Sequence, residues 1–185
     1  MWRRLTSRRE CIPRCNVCST KKTKWSPDGR HLLVVTSDAV LELRDGETLN
    51  VVRTAQTSVK GCANCIWAPG GRHVAAYSLD GTIAVWDLKC SDVALRHVEG
   101  PFPIVAALSH DGDWLAVPGV SRELWLINVS EPANRYELGP LSAPASAVQF
   151  AADGASLLVG SQDGTVQCWS FADRQLAWVS SDTDY

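Results

Sequence analysis

The chain has 185 residues, of which 45% are hydrophobic and 21% are charged, and its net charge is −2 at pH 7. This length and composition fit one globular domain of ordinary size. They exclude a membrane-spanning helix, because no apolar run approaches the roughly 18 residues that such a helix requires.

The chain begins with a basic arm. Residues 1–24 hold eight Lys or Arg and one acidic residue, whereas residues 25–185 hold ten basic and nineteen acidic residues. We expect residues 1–21 to be disordered. The Arg-rich start loosely resembles a mitochondrial transit peptide, and the alternative is a solvated leader. Only Trp2 accompanies the basic residues, so base stacking is not indicated, and we expect a solvated tail rather than contacts with nucleic acid or an anionic surface.

Seven cysteines lie at positions 11, 15, 18, 62, 65, 90 and 168. An odd number of cysteines without a clear secretory signal favours a reducing compartment. We therefore expect the cytoplasm, with the nucleus and the mitochondrion as alternatives.

Three of these thiols, at Cys11, Cys15 and Cys18, are closely spaced. Their spacing resembles the iron–sulfur loop of radical SAM enzymes, but that interpretation needs a large α/β barrel downstream. A zinc site is better placed, with Cys62 or Cys65 as the fourth thiolate. Because a buried cysteine more commonly acts as a small hydrophobe, we predict no metal and no cofactor.

Four turn glycines recur at a nearly constant pitch along the rest of the chain. They are Gly29, Gly71, Gly112 and Gly154, and each closes a short turn rich in Ser, Ala, Pro and Asp. A repeat with a period of roughly 40 residues is a structural unit copied along the chain.

The copy over residues 62–98 shows what one unit contains. Residues 63–68, 73–78, 82–87 and 93–98 are short apolar or β-branched runs, which predict four antiparallel strands. The same plan predicts units over residues 22–54, 104–139 and 146–180, followed by a tail over 181–185. The first and fourth strands of these three units are predicted at 22–26 and 49–54, at 104–109 and 134–139, and at 146–151 and 175–180.

The third unit departs from the pattern in one spacing. The interval from the turn glycine to the aromatic landmark of the third strand is the same for Gly71 and Trp86 as for Gly154 and Trp169. Trp125 follows Gly112 two positions sooner than this interval requires. We therefore predict a shorter hairpin turn between the second and third strands of this unit.

Stacking follows from the two apolar faces of each sheet, which a single sheet cannot bury. Sheets stacked radially form a β-propeller. A sandwich of sixteen short strands is the alternative, but a sandwich has no reason to repeat its turn glycines at a constant pitch.

The third strands carry a family resemblance. Residues 78–87, Ser-Leu-Asp-Gly-Thr-Ile-Ala-Val-Trp-Asp, resemble the end of a WD40 repeat, and residues 161–170 resemble it with Ser in the last position. Residues 43–45 and 124–126 provide two degenerate copies. The resemblance spans residues 22–180 and implies an all-β WD40-type propeller with four four-stranded blades.

The resemblance also implies a structural hydrogen-bonded network inside a blade. Its members here are Ser78, Asp80 and Trp86 in one blade and Ser161, Asp163 and Trp169 in another. The His that often completes such a network is missing, so we expect incomplete networks and lower rigidity.

Four blades are fewer than the seven with which most WD40 relatives close their ring. Three interpretations stay open: a fragment of a larger ring, a small closed ring of four blades, and an open arc that pairs with itself or with a partner. We favour the fragment, followed by self-association.

No nucleophile, phosphate-loop or metalloprotease motif occurs, so we predict no enzyme and no catalytic residues. The resemblance implies a scaffold that binds peptides or domains on the propeller face, with no membrane partner. Leu79, Phe102 and Gln162 are the candidate contact residues on that face. The rival hypothesis is a metal- or nucleic-acid-binding protein that acts through the basic, Cys-containing arm.

Overall fold

The computed structural model describes residues 22–59, 62–78, 80–90, 96–99, 105–119 and 121–180. Over these ranges the chain forms sixteen strands in four antiparallel sheets, and each sheet keeps its strands in chain order. No helix in these ranges is long and apolar enough to cross a membrane. The predicted all-β class with four four-stranded sheets is confirmed. The arm and the tail lie outside the described residues.

We number the sheets as blades 1 to 4. Blade 1 comprises β1 (Lys22–Trp25), β2 (His31–Val35), β3 (Val40–Asp45) and β4 (Val51–Gln56). Blade 2 comprises β5 (Cys62–Trp67), β6 (His73–Ser78), β7 (Thr82–Asp87) and β8 (Arg96–Glu99). Blade 3 comprises β9 (Ala107–Leu108), β10 (Trp114–Pro118), β11 (Leu124–Asn128) and β12 (Arg135–Glu137). Blade 4 comprises β13 (Ala145–Phe150), β14 (Ser156–Ser161), β15 (Val166–Ser170) and β16 (Gln175–Ser180).

The second and third strands of each blade agree with the sequence prediction better than the first and fourth strands do. Strand β9, predicted over residues 104–109, comprises only Ala107–Leu108. Strand β4 begins at Val51 and not at residue 49. Leu49 takes a positive φ of 59° in the preceding turn, where its N–H donates to the Asp45 carbonyl at 2.9 Å. The turn therefore includes residues 49 and 50, which the apolar pattern assigned to the strand.

The prediction of a shorter hairpin in blade 3 is wrong. Pro118 pairs with Leu124, and Tyr77 pairs with Ile83 in blade 2, so the paired positions are equally far apart in both hairpins. Ile127 occupies the landmark position of this blade, because it pairs with Leu115 as Trp86 pairs with Val74. Trp125 lies two positions earlier. Since side chains alternate along a strand, that shift keeps the Trp on the same face.

The repeated turns join the first and second strands of every blade. Their glycines, Gly29, Gly71, Gly112 and Gly154, have φ values of 71°, 70°, 81° and 71°. Each glycine N–H donates to the carbonyl three positions earlier at 2.9–3.0 Å. A residue with a Cβ atom rarely adopts this backbone conformation, which explains why glycine recurs at this pitch.

Neighbouring blades pack face to face. We call the face that contacts the next blade the forward face, and the face that contacts the preceding blade the backward face. The forward face of blade 1, with Leu33, Leu41 and Leu43, packs on Val74 and Trp86 of the backward face of blade 2. Similar apolar clusters join blade 2 to blade 3 and blade 3 to blade 4. Within the described ranges no apolar cluster joins blade 4 to blade 1.

The first strands of all four blades meet around one central cleft of about 470 Å³. Trp25, Trp67, Leu108 and Phe150 line this cleft, one from each blade. The sheets therefore fan around a shared centre, as propeller blades do, and the described blades form an arc with two end faces.

Candidate interaction surfaces

The blade 2 network contains one hydrogen bond of the expected set. The Ser78 hydroxyl donates to Asp80, which also accepts the Thr82 N–H at 2.8 Å. These bonds, the Ser78 hydroxyl first, lower the pKa of Asp80. The Trp86 indole N–H is buried without a hydrogen-bond partner, although the Arg53 guanidinium lies over the ring at 5.3 Å.

In blade 4 the three expected network residues do not bond to one another. Asp163 accepts from the Thr165 hydroxyl at 2.6 Å and from its N–H at 3.0 Å, which lowers the pKa of Asp163. The Ser161 hydroxyl and the Trp169 indole N–H are buried without partners. The missing His is consistent with these orphaned groups, each of which costs about 1–3 kcal/mol.

A second Ser–Asp pair stabilises the repeated turns of blades 1 and 3. The Ser26 hydroxyl donates to Asp28 at 2.6 Å and accepts the His31 N–H at 2.9 Å. Ser109 makes the same contacts with Asp111 and with the Trp114 N–H. The sequence carried this information in its Ser-Pro-Asp-Gly and Ser-His-Asp-Gly turns, whereas blades 2 and 4 have Ala at the Ser position.

Of the three candidate contact residues, only Gln162 lies within the described residues. Its side chain is exposed in the turn between β14 and β15, and its N–H donates to the Pro144 carbonyl at 2.9 Å. Leu79 and Phe102 lie outside the described residues.

Exposed large apolar side chains concentrate at the two ends of the arc. Among the residues whose side chains the structure describes, which leave out residues 62, 63 and 96–99, all of them belong to blade 1 or blade 4. Blade 1 contributes Trp25, Leu49, Val51 and Val52, and blade 4 contributes Leu158, Val166, Leu176, Trp178 and Val179. Surfaces of this kind on a folded protein mark interaction sites.

The forward face of blade 4 has the composition of a buried interface. Leu158, Cys168 and Trp178 are cross-strand partners on this face, next to Val166. Leu158 and Val166 are 36% and 37% exposed, and Trp178 is 48% exposed. The face carries no charged side chain on its two central strands.

The backward face of blade 1 is more mixed. Trp25, Leu32 and Val51 form an apolar row across the blade with Arg44 as the fourth member. Arg44 occupies the position that Trp86 holds in blade 2, and it pairs with Glu42 at 2.6 Å. The ion pair neutralises its own charge, so this face presents apolar groups and no net charge.

A polar crevice of about 260 Å³ lies between blades 2 and 3. The Arg72 guanidinium forms two hydrogen bonds to Asp87, and this holds the pKa of that carboxyl far below its usual range. His73 lies 3.6 Å from Asp87, and burial lowers the pKa of the imidazole. The Cys90 thiol also donates to Asp87, at 3.4 Å.

No group of three or more His, Cys, Asp or Glu side chains with metal-binding geometry occurs in the part of the chain that the structure describes. Cys65 and Cys168 are buried in blades 2 and 4. Cys11, Cys15 and Cys18 lie outside the described residues, so the absence of a metal at these thiols stays a prediction and zinc stays the alternative.

Comparison with known proteins gives matches to one family. The model of the "WD domain, G-beta repeat" family matches residues 46–87 and 136–170. The Periodic tryptophan protein 2 homolog of Caenorhabditis elegans is 28% identical over 160 residues, which are 84% of this chain and 17% of that protein. A guanine nucleotide-binding protein subunit beta of Lymnaea stagnalis is 31% identical over 72 residues, or 39% of this chain and 21% of that protein.

The SIR4-interacting protein SIF2 of Saccharomyces cerevisiae is 25% identical over 167 residues, or 78% of this chain and 30% of that protein. The chain thus spans less than a third of the length of these curated relatives. Among solved structures, the β-propeller domain of Myceliophteria thermophila Cps50 (Swd1) superposes with a TM-score of 0.73 at 20% identity. That match covers 88% of this chain and 55% of the other, which supports the propeller fold.

Proposed function

Because the chain is a WD40-repeat protein that folds as blades of a β-propeller, we propose that it is a non-catalytic scaffold that binds other proteins. We also propose that further blades cover its two end faces, supplied by a longer native chain or, where this chain stands alone, by a second copy. The observation that carries the proposal is the restriction of exposed large apolar side chains, among the described residues, to the two end blades. Burial of apolar surface contributes about 25 cal/mol per Å², so both faces gain from being covered.

The blade contacts inside the chain indicate what would cover the forward face of blade 4. Blades 1, 2 and 3 each bury their forward face against the backward face of the following blade. The backward face of blade 1 is the one such face left uncovered in the described chain. A second copy would bring its blade 1 against blade 4 of the first copy.

Two copies arranged head to tail would form two identical interfaces and a ring of eight blades. This contact is heterologous, and it closes only if the rotation between the copies completes a circle. Eight blades lie within the usual range for propellers. The paired charges of Glu42 and Arg44, at 2.6 Å, would enter such an interface already neutralised.

The relatives support protein binding as the general function. One is named for its interaction with SIR4, and another is named as a subunit of a guanine nucleotide-binding protein. We extend only the general property, which is attachment to other proteins. Contact through Leu79, Phe102 and Gln162 on the propeller face, and a cytoplasmic location, are further parts of this proposal.

The test uses one substitution on each end face. Leu158→Glu places a charge on the forward face of blade 4, and Trp25→Glu places one on the backward face of blade 1. Each variant alone should be monomeric, because both interfaces of its dimer contain the new charge. An equimolar mixture should recover dimers, since one interface then consists of two unmodified faces.

Ala133→Glu is the matched control, because it adds the same charge to an exposed turn of blade 3. This variant should dimerise like the unmodified chain. Dimers of either end-face variant alone, or a mixture that stays monomeric while the unmodified chain dimerises, would contradict the head-to-tail arrangement. An unmodified chain that stays monomeric would contradict self-association.

The arm remains the rival site of function. Deleting residues 1–21 separates the two hypotheses, because the end faces stay intact in the shortened chain. Partner binding that survives the deletion supports the scaffold, and binding that is lost with the arm supports the rival.

A further inference from the structure

An aromatic cluster lies where the turn between β15 and β16 of blade 4 meets blade 3. The Trp114 ring centroid is 5.7 Å from that of Tyr136 and 6.2 Å from that of Phe171. Phe171 in turn stands edge-on to Phe150 at 5.3 Å. Trp114, Tyr136 and Phe171 are all half-buried, so their rings are partly open to solvent.

Arg174 extends from that turn across the aromatic cluster. Its guanidinium carbon lies 3.4 Å from the Tyr136 ring centroid and 5.9 Å from that of Trp114. A guanidinium stacked on a ring keeps its N–H groups at the edge of the plane, where they are able to donate hydrogen bonds. Stacking therefore fixes the orientation of the group without using its donors.

Within the described residues, no carboxylate forms an ion pair with Arg174. The adjacent Asp173 is engaged elsewhere, because it accepts the Ser170 hydroxyl at 2.8 Å. Arg53, which also stacks on a Trp, differs in this respect. Its guanidinium donates to the Leu88 and Cys90 carbonyls at 2.5 and 2.6 Å.

A mostly apolar pocket of about 320 Å³ adjoins the stacked guanidinium. Trp114, Leu126, Phe171, Ala172 and Arg174 line it. The pocket therefore combines an apolar wall with one cation whose charge has no carboxylate partner in the described structure. A ligand that satisfies both parts needs an apolar side chain and a carboxylate close together.

We propose that this pocket binds a partner peptide through a carboxylate carried next to an apolar side chain. The carboxylate accepts two hydrogen bonds from the Arg174 fork, and the apolar side chain lies against Trp114 and Phe171. Both an internal acidic residue and a peptide C-terminus carry this chemistry. The pocket rests on the proposed scaffold function and would give that scaffold a peptide site separate from its end faces.

Three peptides serve as probes in the test. Acetyl-Gly-Gly-Phe with a free C-terminus presents a terminal carboxylate, acetyl-Gly-Asp-Phe-Gly-amide presents a side-chain carboxylate, and acetyl-Gly-Gly-Phe-amide presents neither. Binding is followed by titration with NMR detection of the Trp114 indole and Arg174 side-chain resonances. At least one carboxylate peptide should bind about tenfold or more tightly than the amide, and its identity tells which source of carboxylate the site accepts.

Arg174→Gln should weaken that binding about tenfold, because it removes the charged fork. Arg135→Gln is the matched control, since Arg135 also stacks on a Trp of blade 3, at 5.5 Å from Trp125, but does not line the pocket. That control should leave binding unchanged. The readout is peptide affinity and not particle mass, so this site and the end-face dimer succeed or fail separately.

Equal binding of the amide and the carboxylate peptides would overturn the proposal, as would unchanged affinity in Arg174→Gln. Absence of binding by all three peptides at millimolar concentration would overturn it too. Rising salt should weaken the carboxylate peptides more than the amide, because screening acts on the charged contact.

Discussion

Blades 2 and 4 share the Asp-Gly-Thr turn between their second and third strands and the Trp of the third strand, yet they differ in what covers them. On the forward face of blade 2, Ala75 and Ile83 are fully buried against blade 3. The equivalent positions of blade 4 hold Leu158 and Val166, which are 36% and 37% exposed. Both blades keep apolar residues there, so burial depends on the neighbour and not on the blade itself. A blade thus reaches its full stability only when both faces are covered.

The largest expected difference concerns two tryptophans. Trp86 is fully buried between blades 1 and 2, whereas Trp178 is 48% exposed on blade 4. Trp86→Ala should lower the free energy of unfolding by about 3–5 kcal/mol, because it opens a cavity in the core. Trp178→Ala should cost less than about 1 kcal/mol in the monomer. Urea unfolding at low protein concentration measures both, and similar losses would contradict the difference in coverage between Trp86 and Trp178.

Equivalent positions on the two forward faces give a closer test. Ile83→Ala should cost about 2–5 kcal/mol, whereas Val166→Ala should cost less than about 1 kcal/mol when the chain is monomeric. The cost of Val166→Ala should rise with protein concentration as dimers cover the face. The same urea titration at several protein concentrations checks this. A cost of Val166→Ala that does not depend on protein concentration would contradict the coverage of Val166 by a second copy.

The repeated turns also differ between the interior and the end of the arc. A Cβ atom on Gly112 would clash with the His73 imidazole of blade 2, whereas one on Gly154 would make an ordinary contact with the His110 Cβ atom at 3.6 Å. Both glycines have positive φ, so alanine adds about 1–2 kcal/mol of backbone strain at either site. Gly112→Ala should cost about 1–3 kcal/mol more than Gly154→Ala, because of overpacking. Thermal unfolding of the two variants measures the difference. Equal losses of stability would mean that the contact between Gly112 and His73 adjusts to the added methyl group.

The smallest expected effect is a pH dependence of the free energy of unfolding that arises from His73, where blades 2 and 3 are in contact. Burial lowers the pKa of His73, and the charges around it come from Asp87, Arg72, Asp113 and Asp111. The unfolded chain therefore binds a proton on this His more readily than the folded chain does. The contribution of neutral His73 to the free energy of unfolding is fully present above pH 6.5, and it should decrease as the pH drops from 6.5 towards the pKa of His73 in the folded chain.

His73→Gln should remove that part of the pH dependence between about pH 7 and 5. The measurement is the free energy of unfolding at each pH for the variant and the unmodified chain. Parallel curves would mean that His73 does not contribute. Asp87, whose pKa is lowered, contributes stability above about pH 3.8 and loses it only at more acidic pH, so it does not affect this window.

The repeat and most of the second and third strands were predictable, because the turn glycines and the alternation of apolar residues determine them locally. The register of blade 3 was not, because Trp125 lies on the same face as the expected landmark and so satisfies the pattern at the wrong position. Which faces are covered was also not predictable from the sequence, since blades 2, 3 and 4 are apolar on both faces and blade 1 differs only by the Glu42–Arg44 pair on its backward face. The stacking of Arg174 on Tyr136 joins two blades, and no local pattern predicts such a contact.

The network residues illustrate the same limit. Ser78, Asp80 and Trp86 occur at the expected spacing, but only the Ser–Asp bond forms, and the indole N–H stays without a partner. Spacing brings residue types into one blade, whereas hydrogen bonding also requires the side chain that completes the network. Its absence was visible in the sequence, and the expectation of an incomplete network followed from it.

Sedimentation velocity of the unmodified chain, from low to high micromolar concentration, tests most directly whether the two end faces cover each other. If they do, a species of 20.1 kDa converts with rising concentration into a species of twice that mass. A single 20.1 kDa species that stays stable and folded over the whole range would contradict it.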